Sequence, residues 1–158
     1  MDIKLAELTE QVIHEKLETQ YGSPFSLDSA YLYAVTMENS TTPVLTLVTQ
    51  HPDIYRLLSL PTSETVETVR KSDFVAVVTT GWAAPLPSDG SEPETMPSEH
   101  AERRRVRLCV FASLLDTVAS VLRFEDDDET VTDEGQATGA LAEAVHDFVG
   151  IVHSGDFI

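Results

Sequence analysis

The sequence predicts an α+β domain, in which a mainly antiparallel sheet of about five strands is flanked by N- and C-terminal helices. Two observations indicate this class. Strand-forming segments occur in adjacent pairs joined by turns, at residues 29–49 and 106–124, as they do in hairpins. Apolar residues recur at helical spacing near both ends of the chain. The chain is about one domain long, so we expect residues 1–158 to form a single domain.

The first third of the chain predicts one helix and one hairpin. From Ile3 to about Thr19 the pattern is that of an amphipathic helix, which ends near Gly22. Residues 29–37 and 44–49 are rich in strand formers, and the turn cluster ENSTTP lies between them. The apolar residues that recur at helical spacing are Leu5, Leu8, Val12 and Ile13, and the charged residues among them are Lys4, Glu7, Glu10, Glu15 and Lys16.

Two short helices and a buried strand are expected next. Pro52 suits the first position of a helix, and Thr62 offers an N-cap for a second helix that reaches Lys71. Residues 73–80, DFVAVVTT, are almost continuously apolar and predict a central strand that leads into Trp82.

Residues 85–99, PLPSDGSEPETMPSE, interrupt the predicted elements. They contain four of the eight prolines and four acidic residues, with no Lys or Arg. A segment of this composition cannot bury apolar surface, so we expect a mobile loop within the domain.

The last third predicts a second hairpin and a C-terminal helix. In residues 106–112 the apolar positions alternate with Arg107, Cys109 and Phe111, and residues 117–124 form the returning strand. Residues 125–134 are interpreted as an acidic connection. The helix that follows is marked by an apolar stripe of Leu141, Val145, Phe148 and Val152.

Charge and composition exclude several classes of partner. The formal net charge is −17, which argues against binding to nucleic acid or to an anionic membrane. No apolar run approaches the roughly 18 residues of a membrane span, and MDIKLAELTEQ lacks the features of a signal peptide. Cys109 is the only cysteine, so no disulfide can form within the chain. We therefore expect a cytoplasmic protein.

His100-Ala101-Glu102 matches the H-x-E of zinc deaminases. Such a site needs two further zinc ligands, usually the cysteines of P-C-x-x-C, so that one coordination position stays open for hydroxide. Cys109 stands alone, and the sequence after Glu102 predicts a strand where a deaminase has a helix. The deaminase interpretation therefore fails on its chemistry.

Other metal and nucleophile motifs are also missing from the sequence. An EF-hand loop that began at Asp126 would need glycine where Val131 stands. There is no G-x-S-x-G, no P-loop and no G-x-G-x-x-G. The sequence predicts no metal site and no cofactor, it identifies no catalytic residue, and it leaves open whether the protein is an enzyme. The histidines lie in separate segments, as His14, His51, His100, His146 and His153.

An arginine run and the single tryptophan form the candidate site, which comprises Trp82, His100, Arg103, Arg104 and Arg105. On one interpretation, the second hairpin brings the arginines beside residues 125–129, where they form ion pairs with the acidic side chains. On the other, the arginines bind an anion or an acidic partner and His100 titrates near neutral pH. Trp82 either packs the edge of the sheet or contacts a ligand or partner.

Several phrases together resemble a small family of actinobacterial cytosolic proteins. They are GWAAP, SEHAERRRVRLCVF, VASVLRFEDD and VTDEGQATGALAEA, and the resemblance spans roughly residues 73–145. That family has no known activity, so the resemblance implies no role for any residue.

Two functions remain after these exclusions. The first is a non-enzymatic interaction or accessory module that acts through a protein partner or through self-association as a homo-oligomer. The alternative is a small-molecule enzyme or anion-binding protein whose site lies near Trp82, His100 and Arg103–Arg105.

Overall fold

The computed structural model describes residues 2–22, 24–25, 27–59, 61–83, 99, 101–113, 118–134 and 140–154. Four helices and six strands lie within these ranges. In chain order they are α1 (Ile3–Tyr21), β1 (Ala30–Asn39), β2 (Thr42–His51), α2 (Ile54–Ser59), α3 (Ser63–Arg70), β3 (Phe74–Ala83), β4 (Arg104–Ser113), β5 (Val118–Phe124), β6 (Thr130–Glu134) and α4 (Ala140–Ser154).

The strands form one sheet in the order β2-β1-β3-β4-β5-β6, and every neighbouring pair is antiparallel. The predicted α+β class with an antiparallel sheet is therefore confirmed, as are the hairpins β1–β2 and β4–β5. The interpretation of residues 125–134 as a connection is wrong in its second half, because β6 pairs with β5 from Thr130 to Glu134. The β-branched run Thr130-Val131-Thr132 suits a strand, and an edge position tolerates the acidic residues around it.

The sheet carries helices on both faces. Helix α1 packs on a cluster that includes Tyr33, Cys109 and Phe111, whereas α2, α3 and α4 pack on the opposite cluster, which includes Val110 and Phe148. Successive residues of β4 alternate between these clusters, because side chains along a strand point to opposite faces. This alternation was visible in the sequence, but the face that carries Arg107, Cys109 and Phe111 is fully buried and offers no surface for a partner.

Local signals set the ends of two helices. The side chain of Asp2 accepts a hydrogen bond from the backbone N of Lys4 at the start of α1, and Gly22 ends this helix with φ 74°. That left-handed conformation is available to glycine without a steric penalty. Thr62 caps α3, as the sequence predicts, by accepting a hydrogen bond from the backbone N of Thr65.

Two predictions concern segments at the limit of the described residues. The predicted mobile loop, residues 85–99, lies outside them except for Glu99, and so do residues 114–117 between β4 and β5. Strand β3 continues to Ala83, so Trp82 lies within an inner strand and does not cover an edge of the sheet. Among the described helices, none combines the length and the apolar character needed to cross a membrane.

The packing of α4 gives the first testable prediction. Phe148 is fully buried between α4 and the sheet, and we expect Phe148→Ala to lower the free energy of unfolding by about 3–5 kcal/mol, since it removes apolar contact and leaves a cavity. Urea denaturation followed by circular dichroism measures this. The control is Val131→Ala at an exposed position, for which we expect a change below about 0.5 kcal/mol. Equal effects of the two substitutions would contradict this packing.

Candidate functional site

Strand geometry divides the arginine run. Within β4, Arg105 and Arg107 lie on the face that packs on α1, and Arg104 points to the opposite face. The run therefore does not lie on one face of the sheet, although its residues are neighbours in the sequence. Each arginine has its own surroundings.

Arg104 is held by the acidic turn after β5. Its Nε and Nη2 donate to the two carboxylate oxygens of Asp126 at 2.8 and 2.6 Å, and Nη2 also donates to Asp127 at 2.9 Å. The guanidinium lies 3.9 Å from the ring centroid of Phe124. Hydrogen bonding from Arg104 lowers the pKa of Asp126 below its ordinary value. The predicted pairing of the arginines with residues 125–129 is confirmed for Arg104.

Arg105 and Arg103 instead flank the tryptophan. Trp82 is the register partner of Arg105 across β3 and β4. The guanidinium carbons of Arg103 and Arg105 lie 4.9 and 5.0 Å from the centroid of the Trp82 ring, which is within cation–π range. Nε of Arg105 donates to the backbone carbonyl of Phe25 at 2.9 Å. No carboxylate of the described chain forms a salt bridge with Arg105.

An open cleft of about 490 Å³ lies over these side chains. It is lined by Trp82, Arg103, Arg104, Arg105, Glu125 and Asp126. The structure therefore brings together four of the five residues of the candidate site. His100 lies outside the described residues, and its participation stays a prediction.

A buried charge cluster on the α1 face was not predicted. Arg107 and Arg123 are register partners on β4 and β5, and Glu10 reaches them from α1. Glu10 accepts from Nη2 of Arg107 at 2.6 Å and from Nε of Arg123 at 2.8 Å. Glu10 and Arg107 are 1% and 0% exposed, and Arg123 is 5% exposed. We call these three residues the Glu10 cluster.

Further groups accept hydrogen bonds from the two arginines, although Nε of Arg107 is buried without a hydrogen-bond partner. Arg107 donates from Nη1 to the carbonyl of Pro24 at 3.1 Å, and its Nη2 lies 3.0 Å from Nδ1 of His14. Arg123 donates from Nη1 to Asp128 at 2.6 Å. Two cationic and two anionic side chains thus meet at this face, so their formal charges cancel.

The Glu10 cluster controls the protonation of Glu10 and of the neighbouring His14. Burial raises the pKa of Glu10, but hydrogen bonds and charges from Arg123 and Arg107 outweigh burial, and the net pKa falls below its ordinary 4.5. Burial, followed by the positive charges of Arg107 and Arg123, lowers the pKa of His14 below its ordinary 6.5. Glu10 is therefore ionised and His14 neutral at neutral pH, which lets Nδ1 accept a hydrogen bond from Arg107.

The sequence contained a signal for the Glu10 cluster. Glu10 lies on the same helical stripe as Ala6, Ile13 and Leu17, all of which are fully buried, so its position is apolar by spacing. Because it is charged, it was grouped with the polar residues of the amphipathic helix. Arg107 likewise alternates in phase with apolar residues of β4. A charged residue in phase with a buried apolar stripe predicts a buried ion pair, but the spacing does not identify the residue of opposite charge.

Cys109 and His51 show no catalytic or metal-binding arrangement within the described ranges. Cys109 is fully buried, and burial raises the pKa of its thiol to about 12. Nδ1 of His51 accepts a hydrogen bond from the backbone N of Asp53. The described part of the chain contains no group of three or more His, Cys, Asp or Glu side chains placed to hold a metal ion.

No protein-family model, curated protein or solved structure matches the chain. The resemblance to an actinobacterial family therefore stays a prediction.

We expect Glu10→Gln to destabilise the fold by about 3–5 kcal/mol at pH 7, because two buried guanidinium groups lose the charge that compensates them. Urea denaturation measures the loss. The matched control is Glu15→Gln, an exposed position of the same helix, for which we expect a change below about 0.5 kcal/mol. An effect of Glu10→Gln no larger than that of the control would show that the buried charge is not needed.

Glu10 should also shape the pH dependence of stability. Since its folded pKa lies below 4.5, the stabilisation is present above pH 4.5 and is lost as pH falls through the folded pKa. The slope of unfolding free energy against pH below 4.5 should therefore be shallower in Glu10→Gln than in the wild type, as measured by urea denaturation at a series of pH values. Identical slopes would contradict the assignment.

Proposed function

We propose that the chain is a non-enzymatic protein-interaction module of the cytosol, which binds an acidic segment of a partner protein. Its contact surface is formed by Trp82, Arg103 and Arg105, which we call the Trp82 surface. The observation that carries the proposal is the packing of two guanidinium groups against the ring of a tryptophan that is 38% exposed.

The composition of the Trp82 surface supports a protein contact. Tryptophan and arginine are among the residue types most enriched at binding hot spots, because each contributes a large contact area and a directional hydrogen-bond donor. Arg105 is also held in place, by the carbonyl of Phe25 at its Nε and by the Trp82 ring. A side chain fixed in this way loses little conformational entropy when a partner binds.

The charge of the expected partner follows from Arg105. Its Nε is satisfied by a carbonyl, which leaves its Nη groups to donate to a carboxylate of the partner. Arg104 is a poorer candidate for partner binding, because Asp126 and Asp127 already accept from its guanidinium. A net charge of −17 repels long polyanions, which supports a short acidic segment over nucleic acid as the ligand.

The cleft supports a second candidate function, the binding of a small anionic molecule. Its volume of about 490 Å³ lies within the range of roughly 300–1,000 Å³ that ligand pockets occupy. Arg105 would hold the anion in the same way as it would hold a carboxylate of a peptide. The two candidates therefore share Arg105 and differ in whether the ligand also covers Trp82.

A displayed library of random peptides, selected against the purified protein, tests the proposal. We expect the selected peptides to be enriched in Asp and Glu beside an apolar residue, and to bind Arg105→Gln and Trp82→Ala at least about tenfold more weakly, as removal of a hot-spot residue does. Isothermal titration calorimetry with the best peptide measures the affinities.

Arg56→Gln is the matched control, since Arg56 is an exposed arginine of α2 and lies outside the cleft. Selected peptides that bind all variants equally would refute the Trp82 surface. If the library gives no binder, while phosphate or citrate raises the melting temperature of the wild type but not of Arg105→Gln, the second candidate replaces the first.

A further inference from the structure

The sheet edge formed by β2 differs in charge from the rest of this acidic molecule. Strand β2 pairs with β1 on one side and lies at the end of the sheet on the other. Residues 40–50 contain no Asp, Glu, Lys or Arg, although the chain as a whole has 27 acidic and 10 basic residues. Charges on an edge strand are a common means of preventing strands of other molecules from pairing with it. This edge lacks them, whereas β6 at the opposite edge includes Asp133 and Glu134.

Apolar side chains are exposed along the same edge. Val44 and Leu47 in β2 are each 45% exposed, and Tyr55 in the helix that follows is 50% exposed. These are three of the six large apolar side chains that are exposed within the described ranges. An uncharged edge strand with exposed apolar residues is a favourable site for the addition of another strand.

We propose that β2 pairs with β2 of a second copy of this chain, antiparallel and about a two-fold axis, so that the sheet continues from one copy into the other. The palindromic sequence of residues 44–48, VLTLV, favours a second copy as the occupant, and the lack of charge on β2 permits it. Two molecules that each carry a net charge of −17 repel each other over most of their surfaces, and an uncharged strand places no like charges within the paired strands themselves.

The sequence of β2 fits a two-fold axis at Thr46. Antiparallel pairing about this residue places Thr46 opposite Thr46 of the second copy, and Leu45 opposite Leu47 of the second copy. Leu45 packs against the apolar cluster on the α1 face, and Leu47, two residues further along the strand, lies on the same face. The pairing therefore joins four leucines across the interface, and it covers the Leu47 side chain that is exposed in the single chain.

The length of the regular strand limits the strength of this contact. Pro43 has no backbone N–H, and the register of β2 with β1 shifts beside Val48. Since an axis at Thr46 places Val44 opposite Val48, regular pairing is confined to residues 45–47. Such a contact buries less than the roughly 800 Å² per partner of a standard interface. We therefore expect a weak dimer, with a dissociation constant on the order of 10–100 μM.

Sedimentation equilibrium of the wild type, at concentrations from about 5 to 500 μM, spans the range over which this dimer should form. We expect the mean mass to rise from monomer to dimer. Leu47→Lys should stay monomeric, because it places a charge in the apolar pair, whereas Val131→Lys at the opposite edge should behave as the wild type. A wild type that stays monomeric overturns the proposal, and so does a dimer that Leu47→Lys leaves intact.

Cross-linking tests the register and does not depend on a variant that weakens the dimer. Thr46→Cys should form an intermolecular disulfide under mild oxidation, since the two positions face each other at the axis. The native Cys109 is fully buried and will not compete. Val131→Cys is the control, and a Thr46→Cys variant that cross-links no faster than this control would overturn the register. Either result leaves the Trp82 surface untouched, because Trp82 lies on β3 and away from this edge.

Discussion

The Glu10 cluster is the interaction on which the α1 face of the sheet depends. Arg107 and Arg123 occupy buried positions on adjacent strands, where an uncompensated guanidinium would be strongly destabilising. Glu10 supplies the compensating charge from α1, so the helix can dock only in the position and rotation that bring its carboxylate to both arginines. Apolar packing holds α1 on the sheet, and the cluster selects one arrangement of that packing.

The same cluster supports the Trp82 surface. Arg107 donates to the carbonyl of Pro24, and Arg105, two residues earlier in β4, donates to the carbonyl of Phe25. The short segment after α1 is thereby tied to the strand that carries the candidate site. The guanidinium of Arg105, held by that segment, lies over Trp82 and is pre-organised for an anionic group. Interior charges thus position the surface charge that we propose binds a partner.

The sequence predicts most of the fold, because periodicity and end signals are local properties. Both hairpins follow from alternation and turn residues, and the end of α1 and the start of α3 follow from Gly22 and Thr62. Strand β6 was not predicted, because residues 125–134 were interpreted from their acidic composition and not from the β-branched run that they contain. The Glu10 cluster could not be assembled from sequence alone, since Glu10 and Arg123 are far apart in the chain and only the packing of α1 brings them together. The placement of Arg104 and its neighbours on opposite faces of the sheet could have been predicted from the sequence, because side chains alternate between the two faces along a strand.

A double-mutant cycle between Glu10 and Arg123 tests the central claim most directly. The free energies of unfolding of the wild type, Glu10→Gln, Arg123→Met and the double variant would be measured by urea denaturation at pH 7. If the carboxylate compensates the buried guanidinium, the double variant is destabilised less than the sum of the single variants, with a coupling energy of about 2 kcal/mol or more, as expected for residues in one ion-pair network. Additivity within about 0.5 kcal/mol would show that the two charges do not depend on each other, and would contradict the account.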